Sequence, residues 1–160
     1  MKKVVFVCSG NYYRSRFAEH YFNWLALQKN LTWQADSRGL RIGYWGNVGP
    51  ISRHAIEALQ CRGIPIHGNH RDPKPLTLAD LGECNLIVAA KEAEHRPLMT
   101  EQFPAWAEKV EYWHVDDIDC AAPDEAIHSL AAKVRGLVDR LAADVNILQG
   151  VSHSRNSAGI

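Results

Sequence analysis

Short apolar runs alternate with helical patterns along most of this 160-residue chain. Apolar runs rich in β-branched residues at positions 4–7, 31–35, 86–90 and 110–115 predict four strands. The run at 86–90 holds five consecutive apolar residues, a pattern typical of a strand that is buried on both faces.

The stretches between these runs have the period of helices. In the first of them, one helical face carries the apolar residues Ala18, Tyr21, Phe22 and Leu25. A second helix is predicted to begin at Pro50 and to stop at Gly63, and a short one is predicted at residues 76–81. The last helix is predicted to begin at Pro123, where the two acidic residues that follow favour a first turn.

This alternation predicts the fold class: an α/β protein, formed as a single-domain three-layer αβα sandwich with a four-stranded parallel sheet. We assign residues 1–148 to the domain. Residues 149–160 are rich in Ser, His, Asn and Gly, and we predict a disordered C-terminal tail there.

In an open α/β sheet, ligands bind at the carboxyl ends of the strands. The predicted strand ends bring a cysteine, two cations and an acidic pair to one edge of the sheet. These residues are Cys8, Ser37-Arg38, Lys91 and Asp116-Asp117.

Composition narrows the classes of partner. Lys plus Arg (18) equal Asp plus Glu (18), so no global field favours nucleic acid or an anionic membrane. The apolar run near the N-terminus ends after five residues, which is too short for a signal peptide, and no stretch reaches transmembrane length. The four scattered cysteines (8, 61, 84 and 120) favour a reducing cytoplasm. The histidines at 54, 67, 70 and 95 lack the spacing of metal ligands, so we expect neither a metal nor a cofactor.

The most informative segment joins the first strand to the first helix. Cys8 ends the strand, and Arg14 and Ser15 stand where the helix begins. A strand–loop–helix turn directs several backbone N–H groups into one concavity that suits an oxyanion, and the same field favours a thiolate. Gly10 permits close backbone approach, and Asn11 tolerates the left-handed conformation. The simpler interpretation is a buried cysteine at the end of a core strand.

Residues 8–15, Cys-Ser-Gly-Asn-Tyr-Tyr-Arg-Ser, resemble the phosphate-binding loop of the low-molecular-weight protein tyrosine phosphatases, whose pattern is Cys-x-Gly-Asn-x-Cys-Arg-Ser-Pro. The resemblance covers most of residues 4–142. Its weaker segments occur in the family's order: Ser37-Arg38-Gly39, Gly63-Ile64, Leu86-Ile87-Val88 and Trp113-His114-Val115-Asp116-Asp117.

The resemblance implies a phosphomonoesterase that acts on phosphotyrosine or a similar aryl phosphate through a phosphocysteine on Cys8. Arg14 and the loop amides would hold the phosphate, and Asp117 would be the general acid and then the base. The implied phosphate-binding residues are Ser9, Gly10, Asn11, Tyr12, Tyr13, Arg14 and Ser15. The expected partner is a phosphorylated protein or a small aryl phosphate, without nucleic acid or membrane, and the sequence leaves the oligomeric state open.

The family pattern does not single out one acidic residue of this chain as the general acid. In the family the acid is followed by proline, whereas Asp117 is followed by Ile118. Asp116 and Asp119 therefore remain alternatives, and at least one of the three acidic residues belongs to a solvated loop or a helix cap.

Other departures from the family pattern lie around the loop. Tyr13 replaces a second cysteine that can form a reversible disulfide with the nucleophile, so we expect oxidised Cys8 to be rescued less readily. Arg16 replaces a proline and should make the pocket mouth more cationic. Tyr44 and Trp45 either form an aromatic pocket wall or only pin their loop to the core.

Two alternatives remain open from the sequence. Arsenate reductases share nearly the same fold and loop, but they need two further redox cysteines, beginning just after the third strand, where Ala90 and Lys91 stand. Lys91 itself replaces a usually acidic residue. The other alternative is a catalytically weak phosphate-binding module, which the incomplete acid-loop pattern motivates.

Overall fold

A four-stranded parallel sheet forms the centre of the protein in a computed structural model that describes residues 1–43, 46–66, 70–117 and 123–157. Its strands are β1 (Lys2–Cys8), β2 (Trp33–Gly39), β3 (Leu86–Ala89) and β4 (Glu111–Tyr112). They lie in the order β2-β1-β3-β4, and every neighbouring pair is parallel.

The described helices follow the strands along the chain. They are α1 (Arg14–Gln28), α2 (Arg53–Cys61), α3 (Leu78–Glu83), α4 (Glu92–Gln102) and α5 (Pro123–Ser157), with a short 3₁₀ turn at Ala107–Lys109. This alternation of parallel strands and helices confirms the predicted fold class.

The two faces of the sheet bury two separate cores. Val4 and Phe6 of β1 pack in the cluster that includes α1, α2 and α5, whereas Val5 and Val7 pack in the cluster that includes α3 and α4. Successive side chains of a strand point to opposite faces, so one apolar strand supplies both cores. The result is a three-layer arrangement in which β1, buried on both faces, carries Cys8 at its carboxyl end.

Several boundaries differ from the prediction. β2 begins and ends later than residues 31–35 because it pairs with β1 along its whole length, up to Cys8 opposite Gly39. β4 is shorter than residues 110–115. α2 begins at Arg53 rather than Pro50 because the Ser52 side chain caps it, accepting from the backbone N–H of the second helical residue at 3.2 Å.

The pattern of apolar residues does not predict α4. This helix contains Pro97 and buries only His95 and Met99 of its eleven residues. A proline within a helix removes one hydrogen bond, and a helix with so few apolar positions shows little periodicity. α4 nevertheless carries two residues of the site described below.

The last helix continues to Ser157, past the predicted domain boundary at residue 148 and into the segment for which a disordered tail was predicted. The boundary itself remains a prediction. Among the described residues, no helix is both long and apolar enough to cross a membrane.

Gly39, at the end of β2, lies against the loop that follows β1. A Cβ atom at this position would meet the backbone oxygen of Ser9 at 2.8 Å, Ile42 Cγ1 at 2.9 Å and Asn11 Cβ at 3.1 Å. We predict that Gly39→Ala lowers the free energy of unfolding by about 1–3 kcal/mol, because the backbone atom cannot yield as a flexible side chain would. Urea denaturation measures this change.

Gly136 of α5 is the matched control, since a Cβ atom there meets nothing within 4 Å. We expect Gly136→Ala to stabilise the protein by about 0.5–1 kcal/mol, because glycine disfavours a helix interior. Equal effects of the two substitutions would contradict the close contact at Gly39.

Candidate active site

The cysteine lies at the bottom of the loop between β1 and α1. Cys8 is 3% exposed, and its Sγ lies 2.9 Å from Ser15 Oγ in the first turn of α1. The Ser15 hydroxyl accepts from Asn11 Nδ2 at 2.9 Å, which leaves its proton to donate to the sulfur.

Asn11 fixes the shape of the loop. Its backbone has φ 49°, in the left-handed region, and its side chain is fully buried. The side-chain amide donates to Ser15 Oγ and to Ser37 Oγ, both at 2.9 Å. Its oxygen accepts from Arg71 Nη1 and from the Lys74 backbone N–H, both at 3.0 Å. All four hydrogen bonds available to an asparagine side chain are therefore made.

Behind Asn11, Arg71 joins the loop to the end of β2 through a cluster of polar residues. Its Nη2 lies 3.1 Å from Glu19 Oε1, 3.3 Å from Asp36 Oδ1 and 3.0 Å from the Ser37 carbonyl oxygen.

The two carboxyl groups around Arg71 differ strongly in acidity. Burial raises the pKa of Glu19 to about 7, with Arg71 opposing this shift and the neighbouring Asp36 adding to it. Burial acts in the same direction on Asp36, but hydrogen bonds, chiefly from Arg38, lower its pKa to about 2. Below about pH 7 the proton for which the two carboxyls compete therefore resides on Glu19.

Arg14 lies almost fully buried at the rim of the loop. Its Nη1 and Nη2 bind the two carboxylate oxygens of Glu94 at 3.0 and 2.8 Å, a bidentate pair. Nη1 also donates to the Val115 carbonyl at 3.0 Å, and Nη2 lies 3.4 Å from Asp117 Oδ2. The Nη1/Nη2 edge is thus taken up by Glu94, and Asp117 stands at the other edge, formed by Nε and Nη2.

Glu94 is in turn fixed by two neighbours. Ser9 Oγ donates to its Oε1 at 2.5 Å, and His95 Nε2 lies 3.1 Å from Ser9 Oγ. His95 Nδ1 accepts from the Lys91 backbone N–H at 3.0 Å, so in the neutral ring Nε2 carries the proton. Burial alone would raise the pKa of Glu94, but hydrogen bonds from His95, Arg14 and Ser9 hold it well below its usual range. Burial lowers the pKa of His95, which keeps the imidazole neutral.

The acidic residues after β4 are held by two cations. Asp117 contacts Arg14, as described above, and Asp116 Oδ1 forms an ion pair with Lys91 Nζ at 2.7 Å. Of the two candidate acids that the structure describes, Asp117 is thus the one that reaches the arginine of the loop. Asp119 lies outside the described residues.

Tyr12 and Tyr13 of the loop lie in different surroundings. Tyr13 is buried, and burial together with the charge of Asp117 raises its pKa to about 12, so its hydroxyl is a neutral donor. Tyr12 donates from its hydroxyl to the Val48 carbonyl at 2.6 Å. The predicted pocket-wall residues Tyr44 and Trp45 lie outside the described residues, so their role stays a prediction.

Two expectations for arginines are wrong. Arg16 is fully buried rather than at the pocket mouth, and it donates to the carbonyls of Pro50 and Arg71 at 3.1 and 2.9 Å. Arg16 therefore joins the segments that contain Pro50 and Arg71 through their backbone carbonyls. Arg38 does not join the site, because it pairs with two carboxylates, Asp36 at 2.8 Å and Asp80 at 3.1 Å.

Sequence reasoning missed both Glu94 and His95 as site residues, and His95 is fully buried. The available signal was position, since both residues follow β3 at the carboxyl edge of the sheet. Lys91 stands where the resembled family usually has an acidic residue, and Glu94, three residues later, supplies the carboxylate that binds Arg14. Within the described residues, no group of three or more His, Cys, Asp or Glu side chains could hold a metal ion.

Comparison with known proteins agrees with this geometry. The family model described as low molecular weight phosphotyrosine protein phosphatase matches residues 3–146. A protein-arginine-phosphatase from Bacillus subtilis (strain 168) is 34% identical over 107 residues, which is 67% of each chain.

Solved structures show the same fold. A low molecular weight protein tyrosine phosphatase from T. tengcongensis has a TM-score of 0.72 at 27% identity, over 90% of this chain and 99% of its own. YfkJ from Bacillus subtilis has a TM-score of 0.77 at 24% identity, over 90% of this chain and 96% of its own.

The chain belongs to the low molecular weight phosphotyrosine protein phosphatase family. It is a phosphatase of this class, with Cys8 at the position of the phosphate-binding loop's cysteine.

The acidity of Glu19 predicts a pH dependence of stability. Because its pKa is about 7 in the folded protein against an ordinary 4.5, the folded state holds a proton that the unfolded chain has lost in this window. The free energy of unfolding contributed by this group therefore falls as the pH rises from about 4.5 to 7. Glu19→Gln removes the titration, so wild type should lose roughly 1–3 kcal/mol relative to the variant between pH 5 and 8.

Urea unfolding of both proteins at the two pH values measures this difference, and the titrations of groups that do not interact with Glu19 cancel in it. A constant difference, or one of opposite sign, would show that Glu19 is ionised at neutral pH.

Proposed function

We propose that this protein hydrolyses phosphate monoesters with Cys8 as the nucleophile, through a phosphocysteine intermediate. One observation carries the proposal: the Cys8 sulfur, 2.9 Å from Ser15 Oγ, lies beneath a loop with unused amide donors. In the described part of the chain, the backbone N–H groups of residues 9–12, 14 and 15 donate to no protein acceptor. Such a set of N–H groups at a helix N-terminus binds phosphate.

Arg14 is proposed to bind two phosphate oxygens through Nε and Nη2. Glu94 holds the opposite edge of the guanidinium, so the group is already oriented before substrate arrives. A phosphate at this edge would exchange with the 3.4 Å contact between Nη2 and Asp117. The charge of the dianion then favours a protonated Asp117 carboxyl beside it.

The proposed reaction has two steps. The Cys8 thiolate attacks phosphorus, the bond from phosphorus to the ester oxygen breaks, and Asp117 gives its proton to the leaving oxygen. Asp117, now a carboxylate, takes a proton from water as the water oxygen attacks phosphorus. The sulfur–phosphorus bond breaks, which releases phosphate and restores the thiolate.

We infer an aryl phosphate, and in particular phosphotyrosine, as the substrate, because the family model names phosphotyrosine. Phosphoarginine is the second candidate, because the Bacillus subtilis relative at 34% identity is a protein-arginine-phosphatase. In either case the substrate is a phosphorylated protein, and the proposed location is the cytoplasm, where a catalytic thiolate stays reduced.

The positions of Cys61 and Cys84, the other two cysteines that the structure describes, argue against arsenate reduction; Cys120 lies outside the described residues. Cys84 precedes β3, whose first residue, Leu86, pairs with Val4, whereas Cys8 lies at the far end of β1. Six residues of strand separate sulfurs by roughly 20 Å, too far for a disulfide. Cys61 ends α2 and is exposed, without a described cysteine partner.

The experiment compares hydrolysis of p-nitrophenyl phosphate, a phosphotyrosine peptide and a phosphoarginine peptide by wild type and Cys8→Ser. We expect wild type to turn over p-nitrophenyl phosphate and Cys8→Ser to be inactive. The ratio of kcat/KM for the two peptides then identifies the substrate class. Phosphate binding without turnover would support the binding module, and arsenate reduction with thioredoxin but no hydrolysis would support the reductase.

Asp117→Asn tests the acid. We predict that kcat for an aryl phosphate falls by roughly 10²–10⁴-fold with little change in KM, because the variant still binds but cannot transfer the proton. Asp116→Asn, at the adjacent position, is the comparison and should lower kcat by much less. If the large loss occurred with Asp116→Asn instead, the assignment of Asp117 would be wrong.

A further inference from the structure

Two ion pairs hold consecutive carboxylates in the acid segment, which we define as residues 115–117. Asp117 lies 3.4 Å from Arg14, and Asp116 lies 2.7 Å from Lys91. We propose that Lys91 is a positioning residue for Asp117: its ion pair with Asp116 keeps the acid segment over the loop while substrate phosphate engages Arg14.

Backbone hydrogen bonds fix the start of the acid segment. The chain beside β3 is tied by the bonds from Glu92 N to the Trp113 carbonyl and from Val115 N to the Ala90 carbonyl, each 2.8 Å. The latter bond joins Val115, the first residue of the acid segment, to the residue that follows β3. The ion pairs of Asp116 and Asp117 then hold the two residues that come next.

The two ion pairs differ in what substrate does to them. A phosphate at the Nε/Nη2 edge of Arg14 competes for the group that Asp117 contacts, so that contact weakens when it is most needed. Asp116 pairs with Lys91 and not with Arg14, so a phosphate on Arg14 does not compete for the partner of Asp116. The pair between Asp116 and Lys91 can therefore persist through the reaction.

Lys91 is a suitable anchor because its own backbone is fixed. Its N–H donates to Nδ1 of the buried His95 at 3.0 Å, and it forms a β-bridge with His114. The Lys91 and Asp116 side chains are 27% and 46% exposed, so the pair adds little to global stability. A small displacement of a proton donor is nevertheless costly to the rate.

The inference rests on the proposed role of Asp117, and leaving groups of different basicity test it. Phenolate needs a proton on departure more than p-nitrophenolate does, so loss of a well-placed acid affects phenyl phosphate more. We expect Lys91→Met to lower kcat/KM for phenyl phosphate about tenfold, part of the effect of a whole general acid, and to lower that for p-nitrophenyl phosphate less. Inhibition by inorganic phosphate should not change.

Three further variants isolate the interaction. Lys91→Arg keeps the charge and should restore most of the activity on phenyl phosphate. Adding Lys91→Met to Asp116→Asn should cause no additional loss, because both substitutions remove one interaction. Arg140→Met removes a remote surface pair with Glu111, 2.6 Å long, and should leave both substrates unaffected.

The outcomes separate the two claims. Equal losses on both substrates, or no loss, with Lys91→Met would overturn the positioning role while leaving Cys8 and Asp117 untouched. If Asp117→Asn leaves the ratio of the two substrates unchanged, the proposed acid is wrong and the inference falls with it. If Cys8→Ser retains turnover, the proposed function itself fails.

Discussion

The structure of the loop depends on the four hydrogen bonds of the Asn11 side chain. A non-glycine residue at φ 49° is strained, and it persists because Ser15, Ser37, Arg71 and the Lys74 amide together fix it. One of these bonds engages the hydroxyl that donates to the cysteine sulfur. The same side chain therefore sets both the curvature of the loop and the polarity around its nucleophile.

Arg14 is held from the other side of the loop, and the division of its donors decides what it can bind. Glu94 takes one edge of the guanidinium, while Ser9 and the neutral imidazole of His95 hold Glu94 in turn. The remaining edge faces Asp117. A charged side chain that is almost fully buried needs such a partner, and the partner also prevents rotation of the fork that recognises phosphate.

The four strands and the loop of residues 8–15 could be predicted because both depend on local patterns: apolar runs of strand length, and a cysteine and an arginine at a fixed spacing. Glu94, His95 and the ion pair of Lys91 could not, because they depend on a helix without clear periodicity that contains Pro97. Arg16 was misplaced for a related reason. A cation is expected in solvent, and only tertiary structure shows that carbonyl oxygens surround it.

A crystal structure with vanadate is the most direct test of whether the loop captures an oxyanion against the cysteine sulfur. The expected result is vanadium bonded to Cys8 Sγ, with its equatorial oxygens on the loop amides and on Nε and Nη2 of Arg14. Asp117 should then face the apical oxygen. Vanadate bound elsewhere, or a loop whose amides point away from the sulfur, would contradict it.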